Sequence, residues 1–304
     1  MSKLITVFGA TGNQGGSVVR AILNDPALSR EFKVRGITRD VSKPAAQSLA
    51  AKGVEVVAAD MSTTQQLAPA VAGAHTVFLV TNYWENASGD SEINQGKAVS
   101  DACKAAGVKH LIFSSLLNVT DASKGRLPHI HHFDGKAKIE EYIRTTGVPA
   151  TFVLPGLFMS NMFGMIQKTD EGGYKLALPV TGDKGQIPLF NVRDDLGKFV
   201  TAAIKHDEFR GKRIYACTDY YTPNRLISEF SEVIGKPAEY EQVPDDVFRS
   251  WMSKEHGQEM LENMKLLDDP GYYGGADLKE TQSILDKKPM TWKEFVETYR
   301  ERWE

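Results

Sequence analysis

The chain has 304 residues, of which 41% are hydrophobic and 25% charged, so its composition excludes disordered and fibrous classes. Its 36 Lys and Arg against 39 Asp and Glu give a formal charge of -3, which argues against direct nucleic-acid binding by bulk electrostatics. The two cysteines, Cys103 and Cys217, form neither a CxxC pair nor a metal-ligand cluster. We therefore expect no metal site and a reducing compartment.

The N-terminal apolar run from Leu4 to Phe8 is too short for a signal peptide or a membrane span, and no later run approaches membrane length. We therefore expect no membrane partner and a cytoplasmic location. A nuclear location stays open, because a short address that is read by a receptor would escape this argument.

The first half of the chain alternates short β-branched runs with longer helical patterns, which is typical of a parallel sheet covered on both faces. The strands are expected near residues 3–8, 33–38, 54–58, 76–81, 109–114 and 150–154. The helices are expected near residues 14–24, 43–52, 64–72, 90–106 and 135–146. At three joints, Gly53, Gly107 and Gly147 precede Val, which favours a left-handed glycine that closes each helix.

The second half of the chain is less regular. Residues 156–192 are rich in Gly, Phe and Met, and helical patterns dominate from about residue 194 onward. One group of side chains is compatible with the roof of a substrate pocket or with the buried face of a core helix: Phe158, Met159, Met162, Phe163 and Met165. A later group at helical spacings is expected to pack against the core: Leu278, Ile284, Leu285, Trp292, Phe295, Val296 and Tyr299.

A glycine-rich segment, Gly9-Ala10-Thr11-Gly12-Asn13-Gln14-Gly15, lies between the first strand and the first helix. This order of strand, glycine turn and helix is the one in which backbone N–H groups and a helix dipole receive a pyrophosphate. Gly9 would permit the turn, Gly12 would let the backbone approach phosphate, and Gly15 would let helix and strand pack closely. A purely structural turn is the alternative, although such turns rarely need three glycines. The predicted pyrophosphate-binding residues are Gly9, Thr11, Gly12, Asn13, Gln14 and Gly15.

The loop and the alternating elements together predict an α/β fold with a Rossmann-type doubly wound parallel sheet. We expect an NADP(H)-binding domain in residues 1–155. Residues 156–304 are expected to form a smaller, mostly helical lobe for a substrate or a partner, interleaved with the first domain.

The residues after the second strand indicate which dinucleotide is bound. An NAD site would place an Asp or Glu there, on the ribose hydroxyls. This sequence has Thr38-Arg39-Asp40, and Arg39 offers a planar fork of donors suited to a 2′-phosphate. NADP(H) is therefore favoured over NAD(H), and the alternative is an exposed Arg39 with Asp40 on the ribose.

Two further pairs follow the third and fourth strands. Asp60 and Met61 are expected to lie against the adenine, while Thr81 and Asn82 are expected to line the pocket at the carboxyl ends of the strands. For Asp60, a turn or cap residue is the alternative interpretation.

Several motifs along the chain resemble one protein family. They are the glycine segment, Thr38-Arg39, His132-Phe133-Asp134-Gly135-Lys136, Leu154-Pro155-Gly156-Leu157-Phe158 with Asn161, and Ile187-Pro188 followed by Val192-Arg193-Asp194. Together they resemble the NmrA-like group of atypical short-chain dehydrogenases/reductases over nearly the entire chain. The resemblance implies an extended Rossmann fold, NADP(H) binding, and a lysine near the nicotinamide at Lys136.

The same resemblance exposes a missing residue. Ordinary members of the wider superfamily reduce carbonyls with a Tyr-x-x-x-Lys pair, in which the tyrosine gives the proton. Here His132 stands at the tyrosine position, and none of the ten tyrosines has a lysine four residues later. The standard proton donor is therefore absent from the sequence.

Three residues remain as catalytic candidates: Lys136, His132 and Ser115. Lys136 begins a helix, where a cation gains nothing from the dipole, so a role toward cofactor or substrate explains it better. His132 can titrate near neutral pH, although an exposed or locally bonded loop histidine is the alternative. Ser114 and Ser115 match the region of the superfamily's substrate-binding serine, and a local hydrogen bond explains them equally well.

Two functions fit these residues, and the missing tyrosine favours the first over the second. The first is a redox sensor that binds NADP(H), responds to the NADPH/NADP+ ratio and regulates a protein partner, as the resemblance implies for members without the tyrosine. The second is an NADPH-dependent reductase of a quinone, carbonyl, imine or conjugated double bond that uses Lys136 and positions a small-molecule substrate. An oligomer is compatible with either function.

Overall fold

The computed structural model describes residues 2–85 and 88–304. The strands are β1 (Lys3–Val7), β2 (Phe32–Thr38), β3 (Glu55–Ala58), β4 (Thr76–Leu79), β5 (His110–Ser114), β6 (Ala150–Pro155), β7 (Leu157–Phe158), β8 (Ile166–Lys168), β9 (Tyr174–Leu178), β10 (Ile187–Phe190), β11 (Arg213–Ala216), β12 (Asp219–Tyr221) and β13 (Ala238–Gln242). The helices are α1 (Asn13–Asn24), α2 (Leu28–Glu31), α3 (Pro44–Ala50), α4 (Thr64–Val71), α5 (Gly89–Ala105), α6 (Val119–Ala122), α7 (His131–Thr146), α8 (Met162–Met165), α9 (Val192–Lys205), α10 (Pro223–Ile234), α11 (Asp245–Ser250), α12 (Lys254–Lys265), α13 (Lys279–Ser283) and α14 (Trp292–Thr298).

A seven-stranded parallel sheet forms the centre of the molecule, in the order β3-β2-β1-β4-β5-β6-β11. The six predicted strands and five predicted helices are all present, within a few residues of the expected bounds. The chain reverses direction across the sheet between β1 and β4, which is the switch point at which ligands bind in doubly wound folds. The α/β Rossmann-type prediction is confirmed.

The helices beside the sheet pack closely because glycine replaces a side chain at their crossings. α9 crosses α1 at Gly197, where a Cβ would lie 2.5 Å from the carbonyl oxygen of Ser17. α7 crosses α5 at Gly96, where a Cβ would lie 2.6 Å from Ile139. The predicted left-handed glycines are also present at Gly53, Gly107 and Gly147, with φ of 83°, 66° and 79°.

The C-terminal part contains the predicted helices and also strands that the sequence did not indicate. β11 extends the central sheet beside β6, and two three-stranded sheets have the orders β12-β10-β7 and β13-β9-β8. These strands have two to five residues, which is too short for a clear alternation of apolar and polar side chains. Among the described helices, none combines the length and the apolar composition that a bilayer crossing requires.

The C-terminal aromatic residues pack against the core, as predicted. Trp292, Phe295 and Val296 are buried, and Phe163 stacks on Phe295 with ring centroids 5.4 Å apart. Met159 and Met162 have no exposed surface. Of the two interpretations for this methionine and aromatic group, the buried core holds for these members, whereas Phe158 lines a cleft.

Candidate functional site

A cleft of about 680 Å³ lies at the carboxyl ends of β1 to β4, at the switch point of the sheet. Twelve of the thirteen residues predicted to bind the cofactor line this cleft: Gly9, Thr11, Gly12, Asn13, Gln14, Gly15, Thr38, Arg39, Asp60, Met61, Thr81 and Asn82. The thirteenth, Lys136, is not part of the lining and reaches it through Thr81. Residues that the sequence interpretation missed also line it, among them Lys43, Glu85 and Gln95.

The glycine loop brings backbone groups to the floor of the cleft. Gly9 has a φ of 64°, which favours glycine, and its carbonyl oxygen accepts a hydrogen bond from Gly12 N at 2.9 Å. A Cβ on Gly15 would lie 2.3 Å from the carbonyl oxygen of Gly9 and 2.8 Å from that of Phe8, so only glycine fits. The first turn of α1 carries no acidic side chain. Its unpaired N–H groups therefore suit an anionic diphosphate.

The two charged residues after β2 have different surroundings. The Asp40 carboxylate accepts hydrogen bonds from Ser42 N at 2.9 Å and Ser42 Oγ at 2.6 Å, and these bonds lower its pKa. Arg39 is exposed, lines the cleft and forms an ion pair with Glu85. Lys43 adds a second cation on the same side. This end of the cleft therefore carries two cations, one of which is paired with the Glu85 carboxylate.

Asp60 lies both in the lining of the cleft and in a turn, and its contact with adenine stays a prediction. It lines the cleft beside Met61, and its Oδ1 accepts a hydrogen bond from Ser62 N at 2.8 Å, as in a turn.

The opposite end of the cleft, after β4, is backed by a buried polar cluster. Lys136 Nζ donates to the Thr81 carbonyl oxygen at 3.0 Å, to Thr81 Oγ1 at 2.9 Å and to Glu92 Oε1 at 2.5 Å. Thr81 Oγ1 in turn donates to Glu92 Oε1 at 2.7 Å. All three residues are buried. Glu92 was not singled out in the sequence, since a glutamate in the first turn of a helix is ordinarily explained by the helix dipole.

His132 is not the exposed loop residue considered from the sequence. It is buried in the first turn of α7, and its Nδ1 lies 2.5 Å from Glu259 Oε1 on α12. Tyr83 donates to the other Glu259 oxygen at 3.2 Å. Burial alone raises the pKa of Glu259, but the hydrogen bonds from His132 outweigh it and lower the pKa. A carboxylate thus orients the imidazole through Nδ1, while His132 itself is not part of the cleft lining.

The two serines at the end of β5 have separate roles. Ser115 is fully buried and donates to Glu140 Oε2 at 2.6 Å, so it belongs to a network that also holds Arg144 and Arg213, away from the cleft lining. Ser114 Oγ donates to Gln14 Oε1 at 2.7 Å and thereby joins β5 to the glycine loop. Neither serine is part of the cleft lining, and Ser114 is the one joined to it, through Gln14.

In residues 2–85 and 88–304, no three His, Cys, Asp or Glu side chains converge in a way that could hold a metal ion.

Comparison with known proteins gives the family. The model of the NmrA-like family matches residues 1–296. NmrA-like family domain-containing oxidoreductase ptmS of Penicillium ochrochloron is 32% identical and the match covers 98% of this chain and 96% of the relative. The oxidoreductase malD of Malbranchea aurantiaca, of the same description, is 35% identical, with 82% and 77% covered.

Solved structures show the same fold at lower identity. NmrA, a negative transcriptional regulator, in complex with NADP superposes with a TM-score of 0.82 at 20% identity, covering 98% of this chain and 95% of that one. Citrobacter sp. triphenylmethane reductase complexed with NADP(H) gives 0.76 at 23% identity, with 97% and 99% covered. The sequence match over nearly its whole length shows that the chain belongs to the NmrA-like family.

Proposed function

We propose that this chain binds NADP(H) and catalyses NADPH-dependent reduction of a small quinone, carbonyl, imine or conjugated double bond. The observation that carries the proposal is the His132–Glu259 pair, one helical turn before Lys136. It supplies an oriented acid at the position where the superfamily has tyrosine. The sequence alone favours a sensor, because the tyrosine is missing. It does not reveal that Glu259 pairs with His132, and this pair is what favours a reductase.

The residues around the cleft fit NADP(H). The N-terminus of α1 has no acidic side chain in its first turn, so it suits the negatively charged diphosphate. A Cβ at Gly15 would clash with the backbone of the glycine loop, so no side chain can stand at that position. Arg39 and Lys43 suit a 2′-phosphate, whereas the Asp40 carboxylate is engaged by Ser42. The nicotinamide half would then lie toward Thr81, on the β4 side of the switch point. When bound, the reduced cofactor supplies the hydride.

The side chains of Lys136 and His132 would position the site and donate the proton. Lys136 directs its three N–H groups to Thr81 and Glu92, so it would act by holding the Thr81 backbone and side chain in place at the wall of the cleft. His132 can give a proton from Nε2 while Glu259 stabilises the imidazolium. The Trp84 ring covers His132 with centroids 5.0 Å apart and limits the access of water on that side.

NADPH consumption with a panel of quinones, imines, carbonyls and conjugated alkenes tests the proposal. His132→Asn should lower kcat by roughly 10²–10⁴-fold, the range for a lost general acid. His129→Asn is the matched control, since His129 makes the same kind of pair with Glu262 but is half exposed. It should leave kcat unchanged. Tight NADPH binding without turnover of any acceptor would contradict the reductase.

A regulatory sensor is the second candidate, and a specific contact favours it. α12 is tied to α7 and the residues before it by two pairs, His132–Glu259 and His129–Glu262. A cofactor bound beside α7 could therefore change how α12 is held and expose a surface to a protein partner. Sensing requires that NADPH and NADP+ favour two conformations by different free energies. Hydrogen exchange of α12 in the two cofactor states tests it.

A further inference from the structure

The Glu92–Lys136 pair is buried more completely than structural stability explains. Glu92 is 2% exposed and Lys136 is 8% exposed, and their charged atoms lie 2.5 Å apart. Glu92 Oε2 has no hydrogen-bond partner within the described part of the chain. A buried ion pair with an unsatisfied oxygen is often less stable than an apolar pair of the same size. The pair is therefore better explained by a role toward the cleft, whose Thr81 it contacts, than by stability.

The position of the pair determines which part of a dinucleotide would experience that charge. Thr81 contacts both Lys136 and Glu92 and lines the cleft after β4. Arg39 lines it after β2, on the other side of the switch point. A dinucleotide whose 2′-phosphate lies at Arg39 places its nicotinamide half on the side of Thr81. The Glu92–Lys136 pair would therefore lie behind the part of the cleft wall that is nearest the nicotinamide ring.

The two redox states differ by one charge at that place. The oxidised nicotinamide ring carries a positive charge, and the reduced ring is neutral. A buried Lys136 cation alone would disfavour the oxidised ring, because charge–charge interactions are strong where water is excluded. Glu92 cancels that cation at 2.5 Å. We propose that Glu92, by neutralising Lys136, sets the relative affinity of the protein for NADP+ and NADPH.

This inference rests on the proposed NADP(H) binding and is tested without any substrate. The full-length protein is titrated with NADPH and with NADP+, and the ratio of the two dissociation constants is compared among variants. Glu92→Gln should weaken NADP+ relative to NADPH on the order of tenfold, as expected for one uncompensated charge several ångströms away. Lys136→Met should shift the ratio in the opposite direction. The double variant should return it toward the wild-type value.

A matched control separates local charge from general damage. Asp195→Asn removes another buried carboxylate, paired with Lys198 on α9 and absent from the cleft lining, and should leave the ratio unchanged. Thermal unfolding establishes whether each variant is folded. If Glu92→Gln does not fold, Lys136→Met and the double variant still give the sign of the shift.

The outcomes distinguish this inference from the proposed function. Failure of the wild-type protein to bind either nucleotide overturns NADP(H) binding, and the inference with it. Binding by the wild type, with an equal ratio in Glu92→Gln and Lys136→Met, overturns only the inference. Equal weakening of both nucleotides in both variants also overturns it, because that result indicates a structural role for the pair.

Discussion

Two adjacent side chains at the end of β2 illustrate how single residues select a ligand. Asp40 uses its carboxylate in a turn with Ser42, while Arg39 remains exposed and pairs with Glu85. An exposed ion pair contributes little to stability, so Arg39 can exchange Glu85 for a stronger anion at small cost. A phosphate ester offers such an anion, with oxygens that match the guanidinium fork.

Arg39→Ala should weaken NADPH binding by about 1–3 kcal/mol and leave NADH binding nearly unchanged, the scale for a lost charge-assisted contact. Isothermal titration with both nucleotides measures the difference. Lys43→Ala is a useful companion, because Lys43 lines the same end of the cleft and should also affect NADPH alone. Equal losses for NADPH and NADH in Arg39→Ala would show that this arginine does not contact the 2′-phosphate.

The residues that could be predicted from sequence are those whose constraint is local. Gly9 and Gly15 stand in a short loop between a strand and a helix, and the backbone geometry that requires glycine is set within seven residues. Glu92 and Glu259 could not be found in this way. They lie 44 residues before Lys136 and 127 residues after His132, so only the folded chain brings them together.

At the scale of elements, length decides what the sequence could reveal. The predicted helices of the first half have seven to seventeen residues, so their hydrophobic patterns are long enough to locate even the four-residue strands β3 and β4 between them. β11 has four residues, two of them half-buried, because it is the last strand of the sheet. The contact of α12 with α7 left no signal, since both helices present charged side chains that resemble ordinary solvated faces.

That contact leads to a prediction about cofactor sensing. NADP+ and NADPH should give different rates of hydrogen exchange in the α12 amides, because a positive ring beside α7 changes the electrostatic potential at the His132–Glu259 pair that holds α12. Exchange measured by mass spectrometry with each nucleotide at saturation gives the comparison. Glu259→Gln should abolish the difference, since it removes the charged partner. Equal exchange with the two nucleotides in the wild-type protein would contradict a sensor that acts through α12.

For the whole molecule, we expect the free energy of unfolding to fall at acid pH because the central sheet contains a buried histidine, His110. His110 begins β5 with 1% of its surface exposed, and its Nε2 lies 2.9 Å from Thr151 Oγ1 on β6. Burial, assisted by the nearby Arg210 charge, lowers the pKa of His110 from 6.5 to about 3. The folded protein therefore keeps this ring neutral under conditions in which the unfolded chain protonates it.

The sign of the effect on stability follows from this difference. Above pH 6.5 neither state binds the proton, so His110 contributes no pH dependence there. Between pH 6.5 and about pH 3 the unfolded state binds more protons, and the free energy of unfolding should fall by about 1.4 kcal/mol per pH unit. The loss from this residue should reach about 2 kcal/mol at about pH 5. Paired carboxylates such as Asp25 and Glu259 lose their contributions only at lower pH.

Urea unfolding of the wild type and of His110→Gln, at about pH 7 and about pH 5, tests this account. Glutamine retains an N–H donor for Thr151 but does not titrate, so the variant should lose most of the decrease in stability between the two pH values. A smaller decrease should persist, because burial also lowers the pKa of His75. If wild type and variant lose stability equally, the acid sensitivity of the sheet has its origin in groups other than His110.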